Sequence, residues 1–224
     1  MKYLIFDAGP IISLATNGML PVIEKLKEVF PGEFIMTPNV KKEIIDRPMK
    51  IKKYKLEAIQ VRDMLERGIF KMSTDFIPQD KLDKEVKRLI KVTNGVLRTT
   101  QTGEKINIIH DGEAACLAFA SLCKCDSAIV IDERTTRMLT EAPKSLERMM
   151  EKKLHTPIDA QLSLLDELKG FRFIRSAELL FVAYKKGLIH VKKSKDLLDA
   201  LLYSVKFKGC AISSKEIEEM KRLA

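Results

Sequence analysis

No stretch of this sequence is long and apolar enough to span a bilayer. The opening residues Met1-Lys2-Tyr3 lead straight into a strand-like run, without the apolar segment and small-residue cleavage site of a secretory signal. Both absences predict a protein that stays in the cytoplasm and does not engage membranes. There is no G-x-x-x-x-G-K, no G-x-G-x-x-G behind a strand and no G-x-S-x-G elbow, which excludes nucleotide motors, dinucleotide enzymes and serine hydrolases. Cysteine is scarce: Cys116, Cys123, Cys125 and Cys210 form no C-x-x-C pair, and three of them lie in or just after one helix-like segment. They read as reduced thiols in or near the core, and Cys123 with Cys125 lacks two further ligands at zinc spacing. The three histidines, His110, His155 and His190, have no partner at metal-ligand spacing, and neither repeats nor low-complexity tracts occur.

What is present is a chain of 224 residues, enough to bury one full core, with nearly half its residues apolar and a formal charge of +9. The excess of Lys and Arg raises the local concentration of polyanions such as nucleic acid, although a Lys-rich surface also serves solubility alone. Five short β-rich runs, "KYLIFD", "EFIMT", "GIFKMS", "SAIVID" and "FRFIRS", alternate with helix-period segments. That alternation predicts an α/β fold of three layers, a central parallel sheet with helices on both faces. Gly18 stops a first short helix, Pro38 opens a helix in "TPNVKKEIID", and Ser213 or Ser214 caps the last helix.

Two segments look inserted into this plan. Residues of about 78–107 combine the amphipathic "DKLDKEVKRLIKV" with a polar loop, and residues of about 141–170 are mostly helical and basic. Without repeats or linkers, both are expected to belong to one domain spanning residues 1–224.

Four acids fall where the sheet and its helices place ligands. Asp7 and Asp132 end the first and fourth strands, Glu43 lies one turn into the helix after the second strand, and Glu113 opens the helix before the fourth. The carboxyl edge of a parallel sheet is where open α/β folds bind ligands. Carboxylates brought together repel unless a cation compensates, and an all-oxygen set without Cys or His favours a hard ion, one or two Mg²⁺ or Mn²⁺. Such an ion acidifies bound water and shields a scissile phosphate. Each acid also has a plainer reading: a turn cap for Asp7, a solvated helix face for Glu43, and a favourable helix start for Asp111 and Glu113.

At these residues the sequence resembles the PIN-domain family, metal-dependent ribonucleases with a Rossmann-like sheet. The matching stretches are "YLIFDAGPIISLA", "TPNVKKEII", "GEAACLAFA" and "AIVIDERTTRML", and the pattern extends to "SAELLFVAYKKGLI". The resemblance implies that Asp7, Glu43, Glu113 and Asp132 are the catalytic, metal-binding acids, with Asp111, Glu133 and Ser176 as accessories. It implies that Glu133 binds metal through water or pairs with Arg134, and that Ser176 stands at the rim of the site or caps a helix. Ala8 follows Asp7 where many relatives carry Ser or Thr, and the long span from Glu43 to Glu113 argues against a toxin of a toxin–antitoxin pair.

The function expected on these grounds is hydrolysis of single-stranded RNA, guided by Lys41, Lys42, Arg134, Arg137, Lys185 and Lys186, in a chain that forms dimers or tetramers as many relatives do. The alternative is a nucleic-acid-binding scaffold of the same fold with little or no catalysis. A phosphatase using Asp7 as nucleophile usually wants an acid two residues on, where Gly9 stands.

Overall fold

A computed structural model describes residues 2–224. Five parallel strands form the central sheet: β1 (Lys2–Phe6), β2 (Gly32–Met36), β3 (Phe70–Met72), β5 (Asp126–Val130) and β7 (Phe173–Ile174), in the order β3-β2-β1-β5-β7. β1 is the central strand, pairing Phe6 with Met36 on one side and with Val130 on the other. A strand flanked on both sides and covered on both faces must be apolar throughout, and Tyr3 to Phe6 are all buried. Phe6, Phe34 and Phe70 continue the core across three strands, with the Phe6 and Phe34 rings 5.0 Å apart.

Reversal of strand order on leaving β1 requires helices on both faces. Helices α1 (Ala8–Thr16), α2 (Leu20–Val29), α4 (Lys55–Glu66) and α9 (Ser176–Lys185) form one contacting layer. The return from β3 to β5 runs through α5 (Gln79–Thr93) and α6 (Asp111–Cys123), which pack closely on each other. With right-handed crossovers these two fall on the opposite face. Among the described residues no helix is long and apolar enough to cross a membrane.

The segment after β2 departs from a regular helix. Thr37 caps a single α turn, α3 (Pro38–Lys41), with Pro38 in its first turn, and the chain then widens into a π-helical turn over Lys42–Asp46, closed by Arg47 N–H donating to Lys42 O at 3.0 Å. The wider turn keeps both Ile44 and Ile45 in the core while Glu43 stays exposed. π turns of this kind concentrate at functional sites.

The two inserted segments meet each other. In a stretch that reads from sequence as a polar loop lies β4 (Leu97–Thr99), and in the segment expected to be mostly helical, behind α7 (Arg134–Glu141) and α8 (Pro143–Leu154), lies β6 (Ile158–Ala160). These pair antiparallel, Leu97 opposite Ala160 and Thr99 opposite Ile158. Three-residue strands carry too little periodicity to stand out, and the partner is some sixty residues away. The C-terminal helices are α10 (Leu197–Lys206) and α11 (Ser214–Arg222), the latter capped by Ser213 in a reciprocal pair with Glu216.

The cysteines are all free, and Cys116 and Cys210 are buried, but Cys125 is exposed. It follows the left-handed Lys124 that ends α6, so the chain has already turned outward.

Candidate functional site

Because the five strands are parallel, Asp7 and Asp132 emerge at the same edge, one directly after β1 and one shortly after its neighbour β5. Asp7 N–H donates to Val130 O at 3.0 Å, extending the ladder by one residue and fixing the acid at the sheet rim. Its side chain caps α1, accepting from Gly9 N–H at 3.3 Å. The backbone thus supplies the support that Ala8 cannot. A long capping bond does not account for what surrounds the group: Asp7 is buried, and its pKa is pushed up to about 7, first by burial, then by Glu113, and further by Glu43, against the lowering effect of the Ala8 and Gly9 N–H groups.

Glycines make this approach possible. Gly112, on the first turn of α6, faces both Glu43 and Asp7. A Cβ at that position would lie 3.3 Å from Glu43 Oε2 and 3.4 Å from Asp7 Oδ1. On the other side of Asp7, a Cβ on Gly9 would lie 3.6 Å from Asp7 Oδ2 and 3.8 Å from the Asp132 Cβ. Asp7 therefore shares the surroundings of Gly112 with Glu43 and those of Gly9 with Asp132.

Glu113 joins through α6. Its Oε2 accepts from His110 N–H at 2.7 Å, closing the helix start, yet burial raises its pKa, with Glu133 adding to the rise. The Thr136 hydroxyl is buried beside it without meeting hydrogen-bond geometry to any described group, and partly offsets that rise. Cys116, one turn deeper in α6, reports the same convergence: its thiol is driven well up by burial and then by Asp7, Glu113 and Glu43.

Asp132 is held differently. Ser176 donates to it twice, N–H to Oδ1 and hydroxyl to Oδ2, both at 2.8 Å. The Ser13 hydroxyl lies 3.3 Å from Oδ2 and 3.2 Å from Lys208 O, so its single proton serves both. Ala211 N–H donates to the Asp132 carbonyl at 3.1 Å. Ser176 is thus the first residue inside α9 and an orienting group for Asp132; the cap position belongs to Arg175.

The remaining expected residues separate. Glu133 caps α7 and accepts from the Thr135 hydroxyl at 2.7 Å, and it forms no ion pair with Arg134 because its carboxylate turns back toward the helix start. Asp111 is exposed at the mouth of a cleft of about 600 Å³ that Glu43, Gly112, Lys42 and Arg47 also line. Lys41 pairs with Asp46 at 2.9 Å and Arg137 with Glu141 at 3.7 Å. Lys185 and Lys186 close the end of α9 opposite Ser176, roughly 14 Å along the axis, where Lys185 bonds the carbonyls of Leu223 and Ala224. Only Lys42 and Arg134 remain beside the acids as unpaired cations of the expected set.

No Lys or Arg among the described residues is ion-paired to Asp7, Glu43, Glu113 or Asp132; Lys41, Arg137 and Arg175 are engaged with other acids. Nor do any three His, Cys, Asp or Glu side chains among the described residues stand as a closed metal-ligand set. The chemistry of the donors nevertheless fits a hard cation: carboxylate oxygens of Asp7 and Glu43 face one space, kept open by Gly112. Ser13, Gly112 and Thr136 were not legible in the sequence as site residues. A glycine opening a helix beside an acid was the one available hint. Comparison with protein-family models, curated proteins and solved structures finds no match to this chain.

Proposed function

We propose that this chain is a PIN-type endoribonuclease, dependent on Mg²⁺ or Mn²⁺, that hydrolyses phosphodiester bonds of single-stranded RNA. The observation that carries this reading is the state of Asp7: a buried carboxyl, raised to about 7 by its surroundings, beside two further acids and without a Lys or Arg partner. Such a cluster is costly to maintain unless it serves to bind positive charge.

Asp7, Glu43, Glu113 and Asp132 would hold the ion. A divalent cation bound there supplies charge compensation for a phosphate and acidifies a coordinated water. An ion held by Asp7 would compete with the proton that its raised carboxyl retains, so binding would be coupled to pH. Ser176 and Ser13 keep the Asp132 carboxylate in one orientation, and Gly112 leaves room between Asp7 and Glu43 for the ion. Water would attack phosphorus in line with the departing ribose oxygen, losing one proton to solvent as its oxygen bonds to phosphorus, while the ribose oxygen takes up a proton from solvent as the old P–O bond breaks.

The test is cleavage of a labelled single-stranded RNA in Mn²⁺ by the wild type, Asp7→Asn and Asp132→Asn. The expected result is metal-dependent cleavage that falls at least about a hundredfold in each variant. RNA that is bound but never cut by the wild type would leave the scaffold reading instead.

A further inference from the structure

Beside the acids, α1 and α4 enclose a groove of about 430 Å³, within the range of small-molecule sites. Ile12, Ile51 and Tyr54 line it and remain 43%, 46% and 43% exposed. Glu43 and Arg47 line both this groove and the cleft at Asp111, so the two adjoin at these residues. Glu57 also lines the groove, and its Oε2 is buried without a hydrogen-bond partner among the described residues.

The rim of this groove is the segment "RPMKIKKYK", residues 47–55, with five cations and no acid. The ion pairs nearest in sequence are Lys41 with Asp46 and Arg62 with Glu66; between them no cation is paired. Lys50 to Leu56 are all exposed, and Lys53 Nζ lies 5.1 Å from the centre of the Tyr54 ring.

Resting on the nuclease reading above, we propose that this groove is a base-binding subsite for single-stranded RNA, in which Tyr54 stacks on a base and Arg47, Lys50, Lys52, Lys53 and Lys55 track the adjoining phosphates. One exposed aromatic ring within a run of five cations offers a stacking platform for one base beside contacts for the flanking phosphates. Glu57 Oε2 accepts from base N–H groups, which favours a base with an exocyclic amino group over uracil, whose one imino N–H lies between two carbonyl oxygens. A second copy of this chain fits less well: a two-fold contact would set the same cationic rim against itself.

The experiment is fluorescence anisotropy with labelled 12-mer RNAs in EDTA, so that binding is read without cleavage. The triple variant Lys50→Ala, Lys52→Ala, Lys53→Ala is expected to bind at least about tenfold more weakly, with its salt slope lower by about 2. Tyr54→Ala is expected to lose about five- to a hundredfold. Glu57→Gln is expected to narrow the preference for oligo(C) over oligo(U). The variant Lys192→Ala, Lys193→Ala, Lys195→Ala removes the same charge at the opposite end of α9, and is expected to stay within about twofold of the wild type.

Equal losses in both triple variants would reduce the rim to general electrostatics and overturn the subsite. So would unchanged binding in the rim triple and in Tyr54→Ala, or a dimer that Tyr54→Ala dissociates in sedimentation. The two readings fail separately. Rim-dependent binding without cleavage in Mn²⁺ keeps the subsite and sinks the nuclease, whereas Asp7-dependent cleavage indifferent to the rim does the reverse.

Discussion

Ser176 grips Asp132 with two bonds of equal length, its backbone N–H on one carboxylate oxygen and its hydroxyl on the other, at 2.8 Å each. Both residues are almost fully buried, so neither bond competes with bulk water. Ser176→Ala keeps the N–H and removes the hydroxyl, leaving Oδ2 with only the shared Ser13 proton. Urea unfolding should show a loss of about 1–3 kcal/mol. Ser13→Ala should cost less, since its bond is longer and divided with Lys208 O.

Gly112→Ala separates function from stability. At the second residue of α6, alanine leaves the unfolded chain less freedom than glycine and stabilises by up to about 1 kcal/mol. Its Cβ, however, would sit 3.3 Å from Glu43 Oε2 and 3.4 Å from Asp7 Oδ1, in the space a cation would use. The expected outcome is an unchanged or raised Tm with Mn²⁺ affinity, read by calorimetry, reduced about tenfold or more. Equal affinity for Mn²⁺ in the two proteins would place any ion elsewhere.

Asp7 sets a pH dependence whose sign runs against the usual carboxylate. Its folded pKa near 7 lies above its ordinary 3.8, so the folded protein holds the proton more tightly than the unfolded chain. Stability from this group is therefore present at and below about pH 4 and is lost as pH rises to about 7, by up to about 4 kcal/mol. In EDTA, the stability of Asp7→Asn relative to wild type should rise across that window and level off above it. A constant difference from pH 4 to pH 8 would contradict the burial and charge crowding at this carboxyl.

Thiol labelling should sort the cysteines by depth. Cys125 is exposed and should react with a disulfide reagent in the native protein. Cys116 and Cys210 should react only on unfolding, since both are buried; Cys210 is pushed up to about 12 by burial and by Asp132 beside it. Native-state labelling of Cys210 would mean that α10 and the strand edge under Asp132 open far more readily than their packing implies.

Much of the fold lies within reach of local pattern. The run ending at Phe6 is apolar because both sheet faces are covered there, and the runs ending at Met36 and Val130 are buried over their last residues, whereas the shorter edge strands ending at Met72 and Ile174 are only partly buried. Acids at the ends of the first and fourth runs are equally local, since the sheet direction alone carries them to one edge. The cationic run from Arg47 to Lys55 was also visible in the sequence, but nothing in it says that it borders a groove that Glu43 lines.

The sequence by itself determined the alternation of strands and helices and the edge at which Asp7 and Asp132 appear, because both follow from hydrophobic period and chain direction over a few residues. Only the tertiary structure decided that β4 meets β6, that a π turn presents Glu43 to the crevice, and that Ser176 and Ser13 hold Asp132 from forty-odd and over a hundred residues away. It also decided that Lys185 and Lys186 stand at the wrong end of α9 to serve the acids. Such choices depend on which distant surfaces pack together, and that is settled by the burial free energy of the whole core rather than by any one segment.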